Sequence, residues 1–310
     1  MRPLPPAPVF TRPDLYPLGW TDPAITRAVR SGHLIALRRG QLARSGADDR
    51  ATRAIAATHA CTGSVLSDRS ALDVHGLPVV GRWNGKPELT VPPGRVGSLT
   101  DAHLYRATLW PQDVVSTDLV DVTSVARTLV DVARRFPTST AVSALDAALH
   151  RRLVTFEELD DVVLRCWNWP RVARAHRAIR LSDARAESPL ESISRLTIRW
   201  LRLPAPEPQV VVLDRSGYPI ARLDFYWDEF GVAGEADGLM KYNEDGRAML
   251  TAEKDRQEEL ENLGVCFARW GWRHVTRQPH AMRSRIESAF ARGRLLDRSG
   301  FRRQWSVRST

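Results

Sequence analysis

The chain has 310 residues, 43% of them hydrophobic and 26% charged, with a formal net charge of +9; that is globular-protein composition, and the length predicts two or three domains. Cys61, Cys166 and Cys266 lie about a hundred residues apart with no CxxC or CxxH spacing, which argues against a disulfide framework or a zinc site and for a reducing compartment. The N-terminal MRPLPPAPVF has no apolar core of signal-peptide length and no other run approaches a membrane span, so a cytoplasmic protein with no membrane contact is expected.

Residues 1–50 carry eight Arg against four acids. Thr11 can cap a short helix, and Gly19 offers a tight turn. Thr21 or Asp22 with Pro23 starts a second helix, with Ala24, Ile25, Ala28 and Val29 inward, and Gly32 ends it. The run HLIAL follows, with Arg38-Arg39-Gly40 at a hairpin tip. Helix, turn, helix and basic hairpin is the order of a winged helix-turn-helix, which would present Arg27, Arg30, Arg38 and Arg39 to nucleic-acid phosphates. Such modules also serve as protein contacts, and that reading stays open.

Residues 51–180 read as a mainly helical middle domain with strands near 88–91 and 103–108. Apolar residues recur at helical spacing over 124–136 and 140–153. Arg127 and Asp131 stand four apart and are expected to form a surface pair. CWNWP (166–170) is expected to serve packing, and no site is expected in this region.

A boundary near Leu181–Glu187 opens a third domain, 181–310. Its predicted order is a helix from Ser188-Pro189 to about Leu201, strands at 209–214, 221–227 and 231–237, a helix over 249–263, a strand at 265–270 and a helix near 281–291. Residues 191–270 hold fifteen acids against ten basic residues, whereas 271–310 hold ten Arg against Glu287 and Asp297. That basic tail, expected to be ragged, suits an anionic partner, although 42 of the 45 basic residues are Arg and the bias can equally be compositional. Of the three lysines, Lys241 and Lys254 fall within about 30 residues of Asp224, where a compact ammonium has a use that arginine does not serve.

Two short apolar runs in the predicted strands end on acid. Asp224 stands within the 221–227 strand, at the end of its first apolar run, and Glu235 and Asp237 close the next strand, on the same side because the side-chain period of a strand is two. With Glu191 from the preceding helix these carboxylates can converge, and such a cluster repels itself unless a hard cation such as Mg²⁺ (or Mn²⁺) bridges it. Each acid also has a plainer role. Ser188-Pro-Leu-Glu191 is a capping box, Asp237-Gly238 is turn chemistry, and Asp224 can pair with Arg222 or Arg256. Glu235 lies in a run short of cations.

The layout Glu191 … LDF … GEADG … EKDRQEELENLG resembles the PD-(D/E)XK nuclease superfamily, in particular bacterial domains related to very-short-patch-repair endonucleases, over roughly 181–293. The resemblance implies a restriction-endonuclease-like α-β-β-β-α-β core and a metal site at Asp224 and Glu235, supported by Glu191. The superfamily pattern has lysine two residues after the third-strand acid, where this chain has Asp237; Lys241 is a candidate substitute, and Lys254 with Arg256 can meet phosphate. GWTDPAITRAVRSGHLIALRRG, VLSDRSALDVHGLP and SVARTLVDVARR resemble actinobacterial proteins that begin with an AbiEi-type antitoxin winged helix. Together these imply an α/β multi-domain protein that binds DNA and carries a Mg²⁺-dependent endonuclease domain. The alternative is an antitoxin-like transcriptional regulator with an inactive nuclease-like core, partnered by a cognate toxin or a second copy of itself.

Overall fold

The computed structural model describes residues 2–47, 49–82, 84, 86–95, 97–214, 216–237 and 256–304. It is a mixed α/β protein built on a two-stranded hairpin and two five-stranded sheets. Contacts gather it into two compact units, residues 1–136 with 154–176 and residues 137–153 with 177–310, where sequence placed lines at 50 and 180.

The first unit opens with the short helix α1 (Arg12–Leu15), a 3-10 turn, α2 (Asp22–Arg30), and the antiparallel strands β1 (Leu34–Arg38) and β2 (Gln41–Arg44). Thr11 and Asp14 cap α1 through bonds of 2.7 and 2.8 Å, and Gly19 takes the left-handed conformation, φ 80°, that turns the chain into α2. Phe10, Leu15, Ile25, Leu34 and Leu42 bury one small core, so the apolar spacing of α2 was legible.

Next come α3 (Arg50–His59), β3 (Val65–Leu66), α4 (Asp68–Val74), β4 (Glu88–Val91), β5 (His103–Arg106), β6 (Val114–Ser116), β7 (Asp121–Thr123) and α5 (Val125–Arg135). The five strands form one sheet in the order β5-β4-β3-β7-β6. β3, β6 and β7 are two or three residues long, too short to carry a period. α5 corrects a sequence expectation. Arg127 and Asp131 are both fully buried, their 2.7 Å pair extended by Arg127–Asp113 at 2.8 Å, Arg134–Asp131 at 2.6 Å and Arg165–Asp113 at 2.9 Å. Trp169 of the CWNWP stretch lies under the guanidinium groups of Arg127 and Arg134, 4.5 and 4.8 Å from its ring centre. The charges are internal because Asp113 meets two guanidinium groups and Asp131 three, with Arg135 at 3.6 Å as its third, which offsets their desolvation.

Four helices follow in the chain, α6 (Thr138–His150), α7 (Phe156–Arg165), α8 (Val172–Leu181) and α9 (Pro189–Trp200). In the second unit α6 and α9 are joined by Asp146–Arg195 at 2.7 Å. Then follow β8 (Glu207–Leu213), β9 (Pro219–Trp227), β10 (Val232–Ala236), a helix described over residues 256–262 (α10), β11 (Cys266–Trp270), α11 (Trp272–Thr276), α12 (Pro279–Gly293) and β12 (Arg302–Gln304). The sheet order is β11-β10-β9-β8-β12; β10 and β11 are parallel and the other neighbours antiparallel. Residues 302–304 of the basic tail are therefore an edge strand on β8, where a ragged end was expected.

Strand alternation sorts the two sheet faces. Phe225 stacks on Trp270 and Trp227 meets it edge-on, all on one face, and a side chain at Gly234 would put its Cβ 2.5 Å from Trp270, so only glycine fits there. Asp224, Glu235 and Arg269 fall on the other. Among the described residues no helix is long and apolar enough to cross a membrane.

Candidate functional site

The acids are brought together by register. β9 and β10 pair Trp227 with Val232, Tyr226 with Ala233 and Phe225 with Gly234. One step further stand Asp224 and Glu235, on the same face. The Asp224 carboxylate reaches over to accept from the Ala236 N–H at 2.9 Å. Asp224 and Glu235, eleven residues apart in sequence, thus meet because the two strands form a tight antiparallel pair.

The four carboxylates have different surroundings. Glu191, buried in the first turn of α9, accepts from Ser188 Oγ at 2.7 Å, from the Glu187 N–H at 3.0 Å and from Gln209 Nε2 at 2.9 Å. Ser188 Oγ in return accepts from the Glu191 N–H at 3.2 Å, so the Ser188 half of the expected capping box is formed, while the backbone N–H that Glu191 accepts from is that of Glu187. Glu235 is also buried and has two cations: Arg269 Nε at 2.6 Å and Arg256 Nη2 at 3.3 Å. This corrects the expectation that Glu235 lacks cationic partners. Arg269 is its register neighbour on the parallel strand β11. Asp237 has 60% of its side chain exposed and stands 4.0 Å from Arg269.

Asp224 is the uncompensated one. Among the described residues no cation pairs with it; Arg222 goes to Glu187 and Arg256 to Glu235. Burial pushes its carboxyl up to about 6, and the like charges of Glu191, Glu235 and Asp237 push the same way against the Ala236 bond. Those acids are near enough to be felt. Yet among the described residues no three His, Cys, Asp or Glu side chains stand close enough to share an ion. The two facts concern different ranges: Coulomb repulsion reaches well beyond a ligand bond. The available donors are all oxygen, the chemistry of a hard divalent cation, and the excess negative charge at Asp224 is what such an ion would offset. In that sense the residues fit Mg²⁺ or Mn²⁺, with Asp224 and Glu235 as ligands once Glu235 exchanges an arginine for the ion. Lys241 and Lys254 lie outside the described residues.

Sequence reasoning missed Arg269 and Gln209. Arg285 and Arg292 of α12, with Arg269, Ser284, Ser288 and Phe267, line a cavity of about 370 Å³ beside the Glu235 pair. In the first unit Arg27, Arg30 and Arg39 are exposed. Arg38, expected at the hairpin tip facing outward, is half-buried and pairs with Asp101 at 2.7 Å. Arg27 also borders a cavity of about 700 Å³ with Trp20, Ser31, His33 and Arg44.

No family model matches the chain. Two uncharacterized proteins of Mycobacterium tuberculosis, MT2308 of strain CDC 1551 / Oshkosh and Rv2248 of strain ATCC 25618 / H37Rv, are each 30% identical to it over 173 residues, which cover 56% of this chain and 63% of theirs. The match thus spans less than two thirds of those relatives. The crystal structure of RV2827C from Mycobacterium tuberculosis aligns with 55% of this chain and 71% of its own, at 19% identity and a TM-score of 0.40.

Proposed function

We propose that this is a DNA-binding protein whose second unit is a Mg²⁺-dependent endonuclease domain of the PD-(D/E)XK type, joined to an AbiEi-like winged helix. The observation that carries the reading is the placement of Asp224 beside Glu235 on neighbouring strands, with Asp224 lacking a cation. The element order α9, β8, β9, β10, α10, β11 supports the restriction-endonuclease-like core.

A divalent cation held by Asp224 and Glu235 supplies Lewis acidity toward a phosphodiester. The chain's own residues do the rest. Glu191, fixed by its cap, orients the amide of Gln209. Arg269 and Arg256, released from Glu235, are placed to meet phosphate charge. Asp237, at the exposed end of β10, faces the water from which an attacking oxygen would come. Arg285 and Arg292 hold the backbone of the substrate through a salt-sensitive attraction, and Arg27, Arg30 and Arg39 do so from the first unit.

A second reading has its own observation. Glu235 is already neutralised by two arginines, the arrangement of a core kept for binding in an antitoxin-like regulator, with a toxin or a second copy as partner. Cleavage of supercoiled plasmid and single-stranded DNA in Mg²⁺ or Mn²⁺, beside Asp224→Ala and Glu235→Ala, separates them. Nicking by the parent alone supports the enzyme. No nicking and no metal binding, with operator binding unchanged in both variants, supports the regulator and refutes the enzyme.

A further inference from the structure

Gln209 sits in the interior of β8 with φ 55°, a left-handed conformation that costs any residue with a Cβ steric strain and that strands ordinarily leave to glycine. It falls between the pairs Pro208–Phe225 and Val210–Leu223, so the residue across from it is Asp224. The residue is 5% exposed. Its Nε2 donates to Glu191 Oε2 at 2.9 Å, while its Oε1 is buried with no hydrogen-bond partner among the described residues. This orientation is the chemically required one. Glu191 receives three donors and is acceptor-only as a carboxylate, so the amide must turn its NH₂ toward it and leave the carbonyl oxygen over.

A buried amide oxygen without a donor is an energetic fault unless something binds it. Among the described residues the candidate site lacks a third acid within ligating reach, and the side chain that register places opposite Asp224 is an amide. Amide carbonyls are ordinary ligands of hard cations. A neutral third donor also leaves the charge of Asp224 and Glu235 matched to that of a divalent ion, where a further carboxylate would add repulsion.

We infer that Gln209 is a cation ligand of this site: its Oε1, aimed by Glu191 and by the strained backbone of β8, completes an oxygen donor set with Asp224 and Glu235. The inference rests on the metal-site reading above and adds a ligand to it. Glu191 becomes a positioning residue that acts through the amide.

The test is Mn²⁺ binding by the full chain, read from the electron paramagnetic resonance of free Mn²⁺ with Mg²⁺ as competitor. The proteins are the parent, Asp224→Asn, Gln209→Met and Gln209→Gly. Methionine keeps the length and removes the oxygen; glycine removes the oxygen and the strain together, so a variant that folds is available even if methionine is not tolerated. The expected result is one Mn²⁺ per parent chain and about tenfold or greater loss of affinity in both Gln209 variants, the scale of losing a positioned metal contact. Gln209→Gly should also melt at a higher temperature than the parent without metal. If the parent binds Mn²⁺, Asp224→Asn does not, and both Gln209 variants bind as the parent does, the inference is overturned while the metal site stands. If the parent binds no Mn²⁺, the site reading and this inference fall together.

Discussion

Asp224→Asn distinguishes a carboxylate kept for a ligand from one kept for the fold. The substitution retains an oxygen to accept from the Ala236 N–H and removes only the charge. Burial and three neighbouring acids hold the Asp224 carboxyl at about 6 against an ordinary 3.8. At about 1.36 kcal/mol per tenfold change in proton affinity, that difference is about 3 kcal/mol against the ionised form. Partial exposure screens it, leaving about 1–3 kcal/mol. Because the folded value lies above the unfolded one, the unfolded chain releases its proton first as pH rises. Stability therefore falls between about pH 4 and about pH 6 and is level above that window. Asparagine has no such fall. Urea unfolding in a chelator at neutral pH should find Asp224→Asn about 1–3 kcal/mol more stable than the parent, with the gap closing as pH drops to about 4. Added Mg²⁺ should stabilise the parent and leave the variant unchanged. A variant less stable than the parent at neutral pH, with an unchanged slope against urea, would refute the reasoning and make Asp224 a structural acid.

Arg127→Met removes a fully buried guanidinium from between Asp113 and Asp131 and should cost about 3–5 kcal/mol in urea unfolding; a loss under about 1 kcal/mol would mean that Arg134 and Arg165 alone satisfy the two carboxylates. Gly234→Ala forces a Cβ to 2.5 Å from Trp270 and should destabilise by about 1–3 kcal/mol, seen as a lower melting temperature with quenched or shifted Trp fluorescence. Arg27→Ala and Arg30→Ala, at exposed positions of α2, should each weaken binding to duplex DNA and lower the slope of log affinity against log salt by about one. Equal slopes in parent and variants would take α2 away from the phosphates.

The part of the site that lies within one hairpin was legible in the sequence. The period of two put Glu235 and Asp237 on one side, and the short turn between β9 and β10 brought Asp224 to the same end. Arg269 was not legible, because it meets Glu235 through a parallel pairing with a strand 34 residues later, and no local pattern sets that register. Gln209 left a signal that was passed over: a polar residue in PQVVV whose place, counted back through the β8–β9 turn, is opposite Asp224. In the first unit Arg127, Asp131 and Arg134 follow helical spacing along one stripe of α5. Spacing alone gives the same pattern for a solvated face and for a buried network, so the burial needed tertiary contacts to decide it. The 3-10 turn and the strands of two or three residues lie below the length at which either period is defined.

The two central carboxylates are unequal, and the inequality bears on which functional reading holds. Glu235 is neutralised by Arg269 and Arg256; Asp224 is not. If the domain served only to bind DNA, evolution of a stable core would favour a neutral residue at 224, since among the described residues no cation there offsets the charge. An arginine-held Glu235, by contrast, is useful in both cases: it keeps the site intact without a metal, and a metal bound there would free Arg256 and also Arg269, which lines the cavity with Arg285 and Arg292. Metal entry and phosphate binding would then be coupled, each favouring release of the Arg–Glu pairs. The coupling is reciprocal, so Mn²⁺ should bind more tightly in the presence of a non-cleavable phosphorothioate duplex, and that gain should vanish in Arg269→Gln. A regulator with a dead core has no reason to show it.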